Sequence, residues 1–198
     1  MAYTFFAALN HSVGTSICET DKIDLAKQMM DDAKEKGVKF LIPVDNVVGK
    51  EYKEDTEYMT VNSDDIPDGW MGLDIGPKTT AIFADAVKDA GTVIWNGPMG
   101  VSEWEHFAAG TIGVATAIAN SNAISIIGGG DSAAAIEKLG FDFAAKMSQM
   151  VRIHETWGIT DRTEFINLVW SVISPLKGVF ELLLTGGDLT IYDKIKIK

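Results

Sequence analysis

Short apolar runs that end at glycine recur in this chain, and the clearest is Thr92-Val93-Ile94-Trp95-Asn96-Gly97. A second run, Ala123-Ile124-Ser125-Ile126-Ile127-Gly128, follows it, and the residues between them, from Glu105 to Asn120, are predicted to form a helix. A buried strand, a helix and another buried strand make a βαβ unit, whose two strands are parallel. The sequence therefore predicts an α/β protein.

The same alternation extends to both sides of this unit. Helical spacing of apolar residues predicts helices from Asp21 to Lys36, from Thr79 to Ala90 and from Ser132 to Leu139. The apolar run from Val38 to Val44 predicts a buried strand, whereas the polar, acidic residues 49–69 predict an exposed excursion. We expect a Rossmann-like parallel sheet with helices on both faces, in three α/β/α layers.

Composition excludes several classes of protein. With 46% hydrophobic and 23% charged residues in 198, the chain is globular, and its net charge of -11 disfavours nucleic acid and anionic membranes as partners. The single cysteine, Cys18, cannot form an internal disulfide, and the apolar N-terminus lacks the basic residues of a signal peptide. Residues 165–184 are apolar, but Pro175, Lys177 and Glu181 argue against a membrane span. We expect a cytoplasmic protein.

The charge balance changes just after Gly140-Phe141, which makes this position a candidate boundary between two segments of the chain. Residues 1–145 contain 22 acidic and 10 basic residues, whereas residues 146–198 contain 6 and 7. After Thr160 the chain predicts a helix that is apolar nearly all round, so it must be buried against its own domain or against another chain. A homo-oligomer or a partner chain is therefore one expected role of this divergent tail. Residues 194–198 alternate Lys and Ile like a terminal edge strand.

Two glycine-rich loops follow predicted strands, where open parallel sheets bind ligands. Residues 95–103 form the first loop and end at Glu103, a hydrogen-bond acceptor. The second is Gly128-Gly129-Gly130-Asp131-Ser132, ahead of a predicted helix, where exposed N–H groups and the helix dipole favour phosphate. Asp131 could bind a magnesium ion that bridges phosphates. Each loop is equally compatible with a tight turn and a helix cap, because neither matches the dinucleotide or P-loop pattern.

Three segments, taken in order, closely resemble the C-terminal half of the phosphoglycerate kinase family. They are residues 66–77 (Ile66-Pro67-Asp68-Gly69-Trp70-Met71-Gly72-Leu73-Asp74-Ile75-Gly76-Pro77), residues 93–101 (Val93-Ile94-Trp95-Asn96-Gly97-Pro98-Met99-Gly100-Val101) and residues 126–132 (Ile126-Ile127-Gly128-Gly129-Gly130-Asp131-Ser132). The resemblance covers residues 1–148. It implies a Rossmann-like unit that binds MgADP or MgATP in an enzyme that transfers phosphate between 1,3-bisphosphoglycerate and ADP.

The resemblance also implies roles for particular residues. Gly72, Leu73 and Val101 would line the adenine pocket, Glu103 would hydrogen-bond the ribose, and Asn96 would lie near the phosphates. The phosphates would be held by the loop residues Gly129, Gly130, Asp131 and Ser132, with Asp131 on the magnesium ion. No residue of this chain is assigned a catalytic role.

The sequence departs from the family in three respects. The family's nucleotide-phosphate lysine and its substrate domain, with a catalytic arginine, would precede Met1, so we expect no catalysis by these residues alone. Ser102 replaces a usual phenylalanine. After Ser148 the sequence diverges, and Thr185-Gly186-Gly187-Asp188 is either a displaced remnant of a family loop or, as we favour, coincidence or degeneration. The sequence of the tail is compatible with a fusion, a divergent gene end or an engineered replacement. The alternative function for the chain as a whole is an interaction module with a vestigial nucleotide site.

Overall fold

The computed structural model of the chain describes residues 1–128, Ala135 and the main chain of residues 183–185. Its helices are α1 (Ala2–Ala8), α2 (Ile23–Glu35), α3 (Pro77–Lys88) and α4 (Ala109–Asn120), and short 3-10 turns cover Thr20–Lys22 and Glu105–Phe107. Its strands are β1 (Ser12–Val13), β2 (Asp45–Gly49), β3 (Tyr58–Asn62), β4 (Asp65–Ile66), β5 (Met71–Ile75), β6 (Thr92–Asn96), β7 (Ile124–Gly128) and β8 (Leu183–Thr185).

The described residues fall into two compact units. The first unit contains Met1–Ala81 and Met99–Gly110, and the second contains Ile82–Pro98 and the described residues from Thr111 onward. The first unit holds an antiparallel sheet in the order β3-β2-β5 and a small parallel pair of β1 with β4. The second holds a parallel sheet in the order β7-β6-β8.

The second unit confirms the predicted βαβ arrangement. Strands β6 and β7 are parallel, from Thr92 opposite Ile124 to Asn96 opposite Gly128, and α4 lies between them in the sequence. The interior of β6 is apolar, and Val93 and Trp95 are fully buried. Continuous apolar strands of this kind are typical of parallel sheets with covered faces.

A β-bulge interrupts the pairing of β2 with β5 in the first unit. Val47 lies opposite Asp74 and Val48 lies opposite Gly72, so Leu73 is the extra residue on β5. A bulge turns the main chain of its extra residue away from the ladder. Leu73 is therefore free to pair with another segment.

The first unit is built on the packing of α1. Phe5 and Ala26 are buried together, with Met29 and Met30 packed against them, which joins α1 to α2. On the other side of α1, Phe6 packs with Val48 and Ile66. Burial of these apolar side chains holds α1 on the antiparallel sheet.

The predicted strand from Val38 to Val44 is wrong, since β2 begins at Asp45. Val38 and Phe40 are 48% and 39% exposed, and no described strand pairs with this segment. An apolar run becomes a strand only where a neighbour accepts its main-chain hydrogen bonds, and both edges of β2 are taken by β3 and β5. The apolar run at residues 38–44 therefore precedes β2 in the sequence and is not part of it.

The predicted excursion over residues 49–69 is only partly right. Residues 50–55 are exposed, but β3 and β4 lie within the same stretch. Strand β3 alternates exposed and half-buried residues, because one face is covered while the other meets solvent. The helices predicted at 21–36, 79–90 and 105–120 are confirmed to within a few residues, the last one beginning at Ala109.

Several predictions fall largely outside the described residues. Of the helix predicted from Ser132 to Leu139 only Ala135 is described, and it is helical and buried. The apolar tail helix, its oligomeric role and the terminal edge strand lie wholly outside. Strand β8 was not predicted. Within the described part of the chain, no helix is long and apolar enough to cross a membrane.

The start of α3 depends on a buried carboxylate from β2. Asp45 is 1% exposed and accepts hydrogen bonds from Lys78 N–H at 3.0 Å, Thr79 N–H at 2.8 Å and Thr79 Oγ1 at 2.6 Å. The first N–H groups of a helix lack partners within the helix, and the positive end of its dipole attracts an anion. Gly76, just before α3, has no side chain that could cap the helix. Asp45 of β2 therefore provides the cap.

We expect Asp45→Ala to lower the free energy of unfolding by about 2–4 kcal/mol, because it leaves buried N–H groups unpaired. Urea unfolding followed by circular dichroism measures this loss. The control is Glu57→Ala, which removes the exposed Lys50–Glu57 ion pair (2.7 Å) and should cost below about 1 kcal/mol. Equal losses in the two variants would contradict the capping role of Asp45.

Candidate functional site

The carboxyl-terminal half of β5 is joined to the loop of residues 99–110, here called the 99–110 loop. Val101 N–H donates to the carbonyl oxygen of Leu73 at 2.9 Å, using the main chain that the bulge leaves free. Leu73 is buried and Val101 is half-buried. Two residues that the resemblance assigns to the adenine pocket therefore lie side by side.

Gly72, the residue before Leu73, is required by packing. A Cβ atom at this position would collide with the hydroxyl group of Tyr3, while the Gly72 N–H donates to Ser16 Oγ at 2.9 Å. Burial raises the pKa of Tyr3, and the nearby Asp74 carboxylate raises it further, so the hydroxyl stays protonated. Only the main chain of Gly72 is thus available to line a pocket.

Asp74 is a buried acid at the centre of this region. It is 2% exposed, and its two oxygens accept hydrogen bonds from Ile75 N–H at 2.8 Å (Oδ1) and Gly110 N–H at 2.7 Å (Oδ2). Burial raises the pKa of its carboxyl group from 3.8 to about 7, although both N–H bonds oppose the shift. Desolvation of the charged form outweighs the hydrogen bonds that favour it.

Aromatic rings hold the middle of the 99–110 loop against the sheet. The ring of Trp104 packs on Tyr52 at 4.7 Å, and the ring of His106 stacks on Tyr58 at 4.6 Å. Phe107 is fully buried beside these rings. Glu103 is exposed on the same loop.

The second unit places three strand ends at one edge of its sheet. Asn96 ends β6 opposite Gly128 of β7 and opposite Thr185 of β8. In the sequence each of these residues is followed by glycine, and Gly97 adopts a positive φ of 98° that few other residues tolerate. The carboxyl edge of a parallel sheet is where such proteins bind ligands.

The predicted site residues are divided between the two units, and some of them lie outside the described part of the chain. Gly72, Leu73, Val101 and Glu103 belong to the first unit, and Asn96 belongs to the second. Gly129, Gly130, Asp131 and Ser132 lie outside the described residues. Among the residues that are described, no group of three or more His, Cys, Asp or Glu could hold a metal ion.

Sequence reasoning missed Tyr3, Ser16 and Asp74. The signal for Asp74 is present, since a lone acid interrupts an otherwise apolar strand, Met71-Gly72-Leu73-Asp74-Ile75. Buried acids need specific partners, so such an acid marks a constrained position. No comparable signal exists for Tyr3 or Ser16, which contact Gly72 from distant parts of the chain.

The β6–α4–β7 unit, with glycine-rich loops after both strands, defines an α/β protein of the Rossmann-like class. A family model described as phosphoglycerate kinase matches residues 1–151. The chain therefore belongs to the phosphoglycerate kinase family.

Curated relatives agree with this assignment. The phosphoglycerate kinase of Clostridium novyi (strain NT) is 60% identical over 141 residues, and that of Clostridium perfringens (strain 13 / Type A) is 59% identical over 141 residues. Each match covers 71% of this chain and 35% of the relative. The chain thus spans about a third of the length of the curated relatives it matches.

Solved structures confirm the predicted three-layer α/β/α class. A phosphoglycerate kinase from Coxiella burnetii matches with a TM-score of 0.71 and 41% identity, covering 74% of this chain and 37% of the other. The enzyme from Pyrococcus horikoshii OT3 matches with a TM-score of 0.60 and 31% identity, covering 71% and 36%. The antiparallel sheet β3-β2-β5 of the first unit accompanies the expected parallel one.

Substitution of Gly72 tests the close approach of Tyr3. We expect Gly72→Ala to lower the free energy of unfolding by about 1–3 kcal/mol, because the new methyl group overlaps the Tyr3 ring. Gly91→Ala is the matched control, since a Cβ at Gly91 meets nothing within 4 Å, and its effect should stay below about 0.5 kcal/mol.

A double-mutant cycle separates this collision from a general effect of alanine on β5. Tyr3→Ala should cost less in the Gly72→Ala background than in the wild type, as measured by urea unfolding. Strict additivity of the two losses would show that Tyr3 is not the obstacle.

Proposed function

We propose that residues 1–148 are the C-terminal, nucleotide-binding part of a phosphoglycerate kinase, followed by a divergent segment at 149–198. The proposed ligand is MgADP or MgATP. The observation that carries the proposal is the register of β6 with β7, which ends Asn96 and Gly128 at one edge. Both strands continue in the sequence into glycine, which allows the main chain to approach an anion closely.

The proposed phosphate site is the loop from Gly129 to Ser132. Successive glycines allow close approach of the main chain to an anion, and the helix that the sequence predicts from Ser132 would add partial positive charge. The net charge of -11 would repel a polyanion, yet a small anion needs only local N–H groups. Local geometry therefore outweighs the overall charge for a single nucleotide.

Magnesium would reach this site together with the nucleotide. Mg²⁺ favours one or two carboxylates combined with phosphate oxygens and water, rather than a cage of protein ligands. A single carboxylate, Asp131, fits that demand. When bound, the ion would neutralise phosphate charge, and the role of Asp131 is to hold it beside the glycine-rich loop.

The proposed adenine side is the junction of β5 with the 99–110 loop. Leu73 and Val101 are joined by a main-chain hydrogen bond of 2.9 Å, and Val101 is half-buried, so an apolar side chain meets solvent beside the strand. A purine ring gains from such apolar contact. Glu103, exposed two residues later, is suited to accept a hydrogen bond from the ribose.

The family reaction transfers phosphate between 1,3-bisphosphoglycerate and MgADP, giving 3-phosphoglycerate and MgATP. Such transfer depends on positioning and on cations that neutralise the developing charge. We propose that these 198 residues contribute the nucleotide side only. A coupled assay of the chain alone should therefore show no turnover.

Calorimetric titration with MgADP tests nucleotide binding. We expect saturable binding in the wild type, and a dissociation constant raised at least about tenfold, equal to ~1.4 kcal/mol, in Asp131→Ala, which loses the proposed Mg²⁺ ligand. Asp89→Ala, at an exposed acid in the turn after α3, is the control and should bind as the wild type does.

A thermal melt provides an independent readout, because a ligand that binds the folded state raises Tm with concentration. Absence of both binding and a Tm shift at millimolar MgADP would reject the proposal. The alternative, an interaction module with a vestigial site, would then remain.

A further inference from the structure

Asp74 lies behind the proposed adenine pocket and contacts both ends of the 99–110 loop. A Cβ atom at Gly100 or at Gly110 would overlap the Asp74 carboxylate, so both glycines abut it directly. The Gly110 N–H also donates to Asp74 Oδ2 at 2.7 Å. One buried acid thus contacts the residue before Val101 and the residue at the start of α4.

We propose that Asp74 is the positioning residue of the adenine pocket, holding the 99–110 loop so that Val101 and Glu103 face the nucleotide. This inference rests on the proposed nucleotide binding. Asp74 is not proposed to contact the nucleotide itself, because it is only 2% exposed. Its effect passes through the main chain, from the carboxylate to Gly100 and from there to Val101.

The two protonation states of Asp74 hold the loop differently. The ionised carboxylate offers acceptors on both oxygens and satisfies the Ile75 and Gly110 N–H groups, whereas the neutral form places an O–H donor among them. Hydrogen bonds to a charged acceptor are roughly twice as strong as those between neutral groups. The loop is therefore held more firmly above the pKa of Asp74.

Ionisable groups other than Asp74 also lie on or against this region. The Tyr3 phenol lies near Asp74 from α1 and remains protonated near neutrality, since burial and the Asp74 carboxylate raise its pKa. Glu103, Glu105 and His106 are exposed on the loop itself, and the rings of Tyr52 and Tyr58 pack on it. A pH effect that arises from His106 would persist when Asp74 is replaced, which separates the two sources.

Stability and binding should respond to pH in opposite directions. Because burial raises the pKa of Asp74 from 3.8 to about 7, the folded protein holds this proton more tightly than the unfolded chain. The stability this contributes is complete below the ordinary pKa and is lost as pH rises through about 7. Adenosine binding should strengthen over the same range, as ionised Asp74 fixes the loop.

The test is calorimetric titration with adenosine, which has no phosphate that ionises near neutrality, from about pH 5.5 to about pH 8.5. We expect wild-type affinity to rise about fivefold across this range. Asp74→Asn, which cannot accept both N–H bonds, should bind about tenfold more weakly at the upper pH and show a flat profile. Asp64→Asn, at an exposed turn, should keep the wild-type profile.

Each outcome bears on one claim. Equal affinity and equal pH dependence in the wild type and Asp74→Asn would overturn the positioning role while leaving nucleotide binding intact. If Asp74→Asn does not fold, a flat wild-type profile overturns the role, and a rise centred near pH 7 supports it. Failure of the wild type to bind adenosine at any pH refutes the proposed pocket, and the role of Asp74 with it.

Discussion

Burial of one carboxylate, Asp74, constrains β5 and the 99–110 loop together. Asp74 is removed from water at a cost that its hydrogen bonds to Ile75 and Gly110 only partly offset, which is why its pKa rises to about 7. Releasing the 99–110 loop would remove the Gly110 N–H and leave the carboxylate with only the Ile75 N–H as a partner, which is costly while the carboxylate stays buried. The loop and β5 therefore hold together as one element, and the glycines at 100 and 110 exist because the acid occupies the space beside them.

Each unit, taken by itself, offers chemistry that suits one part of a nucleotide. The first supplies an apolar, main-chain-bonded surface at Leu73 and Val101, which suits a base. The second supplies strand ends followed by glycine, at Asn96 and Gly128, which suit an anion. Neither contribution requires a cationic side chain, so an acidic chain is compatible with an anionic ligand. Strand β8 adds a third strand end, Thr185, to the same edge.

Much of the fold could be predicted from sequence, because local signals and tertiary structure agree there. The run from Thr92 to Trp95 is apolar throughout and is a buried parallel strand. The apolar run from Val38 to Val44 gave a wrong strand prediction. A strand forms only beside a neighbouring strand, and the local sequence pattern does not show whether one is there. At the site, resemblance to the family identified Leu73 and Val101. The bulge at Leu73 and the hydrogen bond of Asp74 to Gly110, however, arise from contacts between residues that are distant in the sequence. Such contacts leave little periodic signal.

The most direct test of this account is amide chemical-shift mapping of the isotope-labelled chain during titration with MgADP. We expect one group of shifted amides at Leu73, Val101 and Glu103 and a second at Gly129 to Ser132, both saturating together. Shifts confined to other surfaces, such as the groove beside α2 lined by Met30 and Phe40, would contradict it. So would a spectrum that millimolar MgADP leaves unchanged.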